Sequence, residues 1–142
     1  MTGSSADQSI IWSDDFLIGI EELDYEHRCL IEDINKLHRD LREHADVGGI
    51  KATLGTIYSR MQAHFALEER VMVCHRYAHY PEHKEEHERL LDEYAERMTK
   101  FDRNPNLGDQ KAIEDILRKW IVDHIVTADK KMSLMIISGK PT

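Results

Sequence analysis

Through four separate stretches of this 142-residue chain, apolar residues recur at steps of three and four. That period is the mark of helices with one buried face. The first stretch runs Leu23, His27, Leu30, Ile31, Ile34, Leu37 and Leu41, and Gly48 and Gly49 close it. The second runs Ile50, Leu54, Ile57, Met61, His64, Phe65, Glu68 and Met72. It fails by Tyr80-Pro81, because a residue before proline is pushed out of the helical region. Pro81 suits the first turn of the next helix, whose stripe is His83, His87, Leu90, Leu91, Tyr94, Met98 and Phe101. The breakers Asn104, Pro105 and Gly108 follow. The fourth stripe is Ile113, Ile116, Leu117, Trp120, His124, Ala128, Met132 and Met135. No alternating strand pattern is present. Helices of roughly 20 to 28 residues joined by short links pack as antiparallel neighbours. The expected fold is all-α, an up-down-up-down four-helix bundle.

At this length one domain is expected, large enough to hide roughly two-thirds of its unfolded surface. Residues 1–10 read as a flexible tail, residues 11–137 as the bundle, and residues 138–142 as a C-terminal tail. Within the bundle unit, Ile11 to Ile20 is expected to lie on the body as an extended N-terminal arm anchored by Trp12 and Phe16. The formal net charge of −8 argues against nucleic acid, whose phosphates need a basic footprint, and against an anionic membrane surface. No apolar run approaches the roughly 18 residues of a spanning helix, and the first ten residues carry no secretory pattern. The two cysteines, Cys29 and Cys74, lie outside any CxxC motif and read as reduced thiols of a cytoplasmic protein.

Set into the stripes are residues that do not belong in a plain core. His64 and Glu68 are four apart, as are His83 and His87, and such a step leaves both side chains on one helix face. His27 stands alone on the first stripe. His124 and Asp129 are five apart, a turn of about 140° on an ideal helix. They serve one centre if they straddle it or if the helix is locally distorted, and spacing alone leaves both open. A lone core histidine is more often a packing residue than a ligand, and HxxxH or HxxxE arises by accident on charged helices. A glutamate on a dry face is different, because its charge is costly there unless paired or bound to a metal. Five imidazoles and two carboxylates spread over four inward faces exceed the four ligands of a tetrahedral site. They suit two metal ions sharing carboxylates, and these ligand types suit iron. His38, His44, His75 and His79 fall off the stripes or in the break and read as solvated. Glu69, one residue round the helix from Glu68, reads as an ordinary solvated acid. The methionines read as core filler. Trp120, one turn before His124, reads as core and as a candidate wall.

Four segments, DYEH after the Trp12 arm, HFALEERVM, YPEHKEEH and WIVDHIVTAD, together resemble the hemerythrin family in its bacterial single-domain form, over about Trp12 to Met132. The resemblance implies a non-haem di-iron centre, ferrous or ferric, with a bridging oxo or hydroxo group from solvent. His83, His87 and His124 would hold one iron and His27 and His64 the other, with Glu68 and Asp129 as bridges. The iron with two histidines would keep a free position, where dioxygen would bind reversibly for storage, transport or delivery. Candidate walls of that oxygen pocket are Trp120, Ile121, Leu30, Ile31 and Met61. No catalytic residue is expected. An oxygen or redox sensing module is the alternative, although the chain shows no output domain. A peroxide or nitric oxide scavenging enzyme is a second. Expected partners are dioxygen and an oxygen-consuming or signalling protein.

Overall fold

The computed structural model describes residue 10 and residues 12–43, 46–105 and 107–138, with the side chains of 107–110, 121 and 122 left aside. Helix α1 spans Glu21–Arg42, α2 Val47–Cys74 and α3 Tyr80–Arg103. The fourth rod is composite. It begins as α4 (Leu107–Lys119), widens into a π-helical segment (Trp120–Asp129) and resumes as α5 (Lys130–Ser138). The architecture is all-helical, and no strand occurs among the described residues. Helix α1 packs on α2, α2 on α3 and α3 on α4, and α4 closes the ring against α1. No helix among the described residues is long and apolar enough to cross a membrane.

Each boundary has a local cause. Asp46 caps α2, its carboxylate accepting from the Gly49 N–H at 2.6 Å. That cap satisfies an otherwise orphan donor, so Gly48 and Gly49 lie inside the first turn of α2, where the sequence reading had them end the preceding stretch. Pro81 stands in the first turn of α3, where its missing N–H costs nothing. In α1, Asp24 accepts from the N–H groups of Ile18 and Gly19 at 2.8 and 3.2 Å, tying the arm to the helix start.

The stripes pack as their period requires. Leu23, Leu30, Ile34 and Leu37 meet Leu54, Ile57, Met61 and Phe65, with Tyr94, Phe101, Ile113, Leu117 and Met132 completing the core. Each such side chain removed from water contributes about 1.5–3 kcal/mol. The Tyr94 hydroxyl, buried among them, donates to the Leu54 carbonyl at 2.7 Å. His38 is a correction to the sequence reading: it is buried at 7% exposure and its Nδ1 meets Glu114 of α4. A polar ring with a partner can lie at the edge of an apolar face, and Glu114 supplies that partner from a helix too distant in sequence to be foreseen. His44 lies outside the described residues. His75 is exposed, and His79 faces Glu82.

The arm is not uniformly extended. A single 3-10 turn, Asp14–Phe16, interrupts it, burying Phe16 against Trp12, while Arg28 lies 4.6 Å over the Trp12 ring. Among the described residues, Ile10 is also anchored. Its N–H and C=O are both bonded to the Asn35 amide, at 2.8 and 2.9 Å. Farther along, the Ser133 hydroxyl donates to the Ile18 carbonyl and Lys130 reaches the Asp15 carbonyl. Directly after Ile18, Gly19 adopts φ 92°, and a Cβ there would stand 2.9 Å from the Ile137 Cδ1. Gly19→Ala is expected to cost about 1–3 kcal/mol, the strain of a side chain at positive φ. The check is a lower urea midpoint at unchanged slope.

Candidate metal centre

Seven side chains from all four rods converge toward the end of the bundle where α1 and α3 begin. Helix α1 contributes His27, α2 His64 and Glu68, α3 His83 and His87, and the π segment His124 and Asp129. All are buried, none more than 5% exposed. These are the residues singled out in the sequence. The π segment resolves what spacing left open. In an α-helix a five-residue step would turn Asp129 away from His124, but hydrogen bonds that reach five residues back close a wider turn. The Lys130 N–H bonds to the Ile125 carbonyl in this way. His124 Nε2 and Asp129 Oδ1 consequently lie 2.9 Å apart.

The donors fall into two overlapping sets that could each hold a metal ion: Glu68, His83, His87, His124 and Asp129 in one, His27, His64, Glu68 and Asp129 in the other. The carboxylates are shared by opposite oxygens. Glu68 turns Oε1 to the Nε2 atoms of His83 and His87, both at 3.0 Å. Its Oε2 faces His64 at 2.8 Å and His27 at 3.6 Å. Asp129 turns Oδ1 to His83 at 3.0 Å and to His124, and Oδ2 to His27 at 3.2 Å.

Three observations test whether these residues fit metal ions. First, the Nε2 atoms of His87 and His124 face each other at 3.2 Å, while their Nδ1 atoms face carboxylate oxygens of Glu69 at 2.9 Å and Glu86 at 3.2 Å. In the neutral tautomers with the proton at Nδ1, the two Nε2 atoms would turn lone pairs toward one another, an arrangement that a cation between them would satisfy. Second, Glu68 Oε2, Asp129 Oδ2 and both ring nitrogens of His27 and His64 are buried without an aligned hydrogen bond. They lie close to one another yet are aimed past one another, an arrangement that buried polar groups otherwise avoid. Third, most donor separations lie near 3.0 Å. Bonds of about 2.1 Å to a six-coordinate ion set neighbouring donors about 3.0 Å apart, against about 3.4 Å for a tetrahedral one. The residues fit a pair of ions.

The electrostatics of the metal-free chain agree. Burial opposes a charge on Glu68, but the facing imidazoles of His64, His27 and His83 hold its carboxyl well below the usual range. Burial and the neighbouring Glu68 oppose the charge on Asp129, and His124 and His27 overcome them, so this carboxyl too is lowered. The histidines move the other way. Burial opposes their charge, yet contacts with Asp129 and Glu68 lift His27 and His83 from 6.5 to about 9. Asp129, with Glu86 and Glu68, lifts His124 to about 10. The raised imidazoles and lowered carboxyls balance one another's charge in the metal-free chain.

The surroundings were less legible. Phe65 stacks on the His87 ring at 3.9 Å and meets Trp120 edge-on at 5.3 Å. Trp120 in turn lies 6.4 Å from His64 and 6.5 Å from His124. Leu30, Ile31 and Met61 are buried one turn from His27 and His64, and the Ile121 side chain lies outside the description. Glu69 is not the free solvated acid the sequence suggested. It reaches across to His87 on α3, as Glu86 reaches from α3 to His124. The available signal was that each sits beside a core-facing residue of the candidate set, Glu69 beside Glu68 and Glu86 beside His87.

The family model described as Hemerythrin HHE cation binding domain matches residues 18–136. Bacteriohemerythrin of Stenotrophomonas maltophilia is 30% identical over 118 residues, covering 82% of this chain and 74% of that protein. Bacteriohemerythrin of Pseudomonas aeruginosa is 28% identical over 120 residues, covering 84% and 76%. Hemerythrin subunit 1 of Golfingia vulgaris is 28% identical over 121 residues, covering 85% and 88%. Among solved structures, that of a hemerythrin point mutant superposes with a TM-score of 0.80 at 26% identity, covering 89% of this chain and 96% of that one.

The protonated imidazoles set the pH dependence of metal uptake. A raised histidine pKa contributes stability to the metal-free fold that is full below 6.5 and is lost as pH climbs through about 9 to 10. Metal must displace the same protons. Uptake at pH 7 is therefore expected to release about three protons per chain, from His27, His83 and His124. Apparent affinity should rise with pH and level off above about 10. A pH-indicator dye during metal titration reads this directly, and uptake without proton release would contradict it.

Proposed function

The chain belongs to the hemerythrin family, and on that footing we propose that it binds dioxygen reversibly at a non-haem di-iron centre, for storage, transport or delivery. One iron is assigned to His83, His87 and His124, the other to His27 and His64, and Glu68 and Asp129 bridge them. The observation that carries this reading is the inequality of the two donor sets, five side chains against four, with both carboxylates common to each. With a solvent-derived oxo or hydroxo bridge added to both sets, an iron held by His27, His64 and the two carboxylates would stand one ligand short of its neighbour. A closed structural site would have no such vacancy.

A ferrous pair supplies the electrons that dioxygen takes up on binding and returns on release. The rest falls to the chain. Glu68 and Asp129 fix the spacing of the two sites through opposite oxygens. Imidazoles outnumber carboxylates five to two. The ferritin-like bundles use four glutamates and two histidines, a more anionic set that favours oxidative chemistry. Neutral donors keep the ferrous form accessible and binding reversible. Leu30, Ile31, Met61 and Trp120, buried around His27 and His64, are assigned the exclusion of water from the vacant position.

The test is to load the protein with ferrous iron under argon, determine iron per chain, admit air and follow the visible spectrum. Two irons per chain are expected, with a charge-transfer band that appears in air and disappears when oxygen is removed. Direct conversion to a ferric spectrum with no reversible band would favour a redox sensor or a peroxide or nitric oxide scavenging enzyme. A single zinc, or no metal, would overturn the di-iron reading. His64→Ala is expected to leave the three-histidine iron in place while abolishing the reversible band, because it strips the four-donor set of one of its two imidazoles.

A further inference from the structure

The two ends of the site differ in a second way, which the donor count does not explain. His87 Nδ1 is bonded to Glu69 Oε2 at 2.9 Å, and His124 Nδ1 lies 3.2 Å from Glu86 Oε1. Both histidines belong to the five-donor set. On the four-donor side, the Nδ1 atoms of His27 and His64 are fully buried with no hydrogen-bond partner and, among the described residues, no carboxylate paired with them; His124 Nδ1 also lacks an aligned hydrogen bond, but it has the ion-pair contact with Glu86. Two of the three histidines on one side are thus backed by a carboxylate, and neither histidine on the other side is.

The arrangement follows from the helix register. Glu69 follows Glu68 on α2, and Glu86 precedes His87 on α3. A one-residue step turns the helix by about 100°, so each acid points from the buried ligand face toward the seam with the next helix. Glu69 crosses the α2–α3 seam and Glu86 the seam between α3 and the fourth rod. Their side chains are 22% and 37% exposed, so the charge stays partly solvated and costs little to keep. On the remaining seams, among the described residues, no acid is paired with the Nδ1 of His27 or His64.

A carboxylate at Nδ1 does two things to an imidazole whose Nε2 binds a metal. It selects the tautomer with the lone pair at Nε2, and it raises the basicity of that lone pair. It also holds the ring against rotation. Resting on the di-iron reading, we propose that Glu69 and Glu86 are positioning residues that orient His87 and His124 and make the three-histidine site the tighter of the two. The iron there is the anchored one. Its neighbour, held by rings with no outer partner, is the one that exchanges and gives way. An oxygen-binding centre gains from that division, since its open position then belongs to the less constrained ion.

The experiment is anaerobic release of Fe2+ from the full chain to excess chelator, followed by the colour of the chelate, a readout independent of oxygen binding. The wild type is expected to release iron in two phases of one ion per chain each. Glu69→Gln with Glu86→Gln keeps the side-chain volume and an oxygen acceptor but removes both charges. That double variant is expected to accelerate the slow phase by about 10- to 100-fold, the range for loss of an outer partner, and to leave the fast phase unchanged. Glu85→Gln and Glu88→Gln remove charge from exposed positions in the same α3 groove and are expected to change neither phase. Should the double variant fail to fold, each single variant carries the same test with a smaller acceleration. Release in a single phase by the wild type, an unaltered slow phase in the variants, equal acceleration of both phases, or the same effect from Glu85→Gln would overturn the inference while leaving the di-iron reading intact. A wild-type chain that retains no pair of ions overturns the reading beneath it as well.

Discussion

Two ionised carboxylates buried to zero exposure in a helical core are the constraint on which the rest of this structure turns. Neither Glu68 nor Asp129 could hold its charge there alone, because desolvation would drive each to take up a proton. Five imidazoles from four rods are gathered around them. The carboxylates are separated in sequence by most of two helices, so the charge can be balanced only when the whole bundle closes. Polar satisfaction and tertiary assembly are the same event in this half of the molecule. The other half, built on Leu37, Leu54, Ile57, Phe101 and Leu117, supplies the apolar burial that meets the cost.

The remaining features serve that convergence. The arm is tied down by Asn35, Asp24 and Ser133, which brings it along α1 and α5 near the ligand-bearing turns. The π segment, with its wider turn, aims Asp129 at the donors His124 already faces. An α-helix of the same sequence would bury one and turn the other aside. Aromatic rings close the remaining space. Phe65 lies flat on His87 and edge-on to Trp120, so the imidazole planes are braced by packing as well as by hydrogen bonds. A centre whose ligands rest on rigid elements and locked rotamers keeps its geometry better than one on loops.

Much of this was legible in the residues. The apolar period located all four rods, Pro81 marked the start of α3, and the four-residue steps His64–Glu68 and His83–His87 placed each pair on one buried face. Period and breakers are local, so local reasoning reaches them. The errors were of another kind. His38 and Glu69 look like surface residues on their own helices because their partners, Glu114 and His87, are contributed by others. The π turn leaves no periodic signature, since ten residues are too few to distinguish it from an α-helical stripe.

The amino-acid order alone determined the class of fold and singled out the seven buried side chains that converge, because helical periodicity and the cost of a buried acid act within a few residues of chain. What only the tertiary structure decided was how those donors are divided. Which oxygen of Glu68 and Asp129 faces which histidine, how His124 and Asp129 come to share a face, and which imidazoles have a carboxylate behind them all depend on the register between packed helices. Register is set by side chains meeting across a seam, and no spacing along one helix contains it.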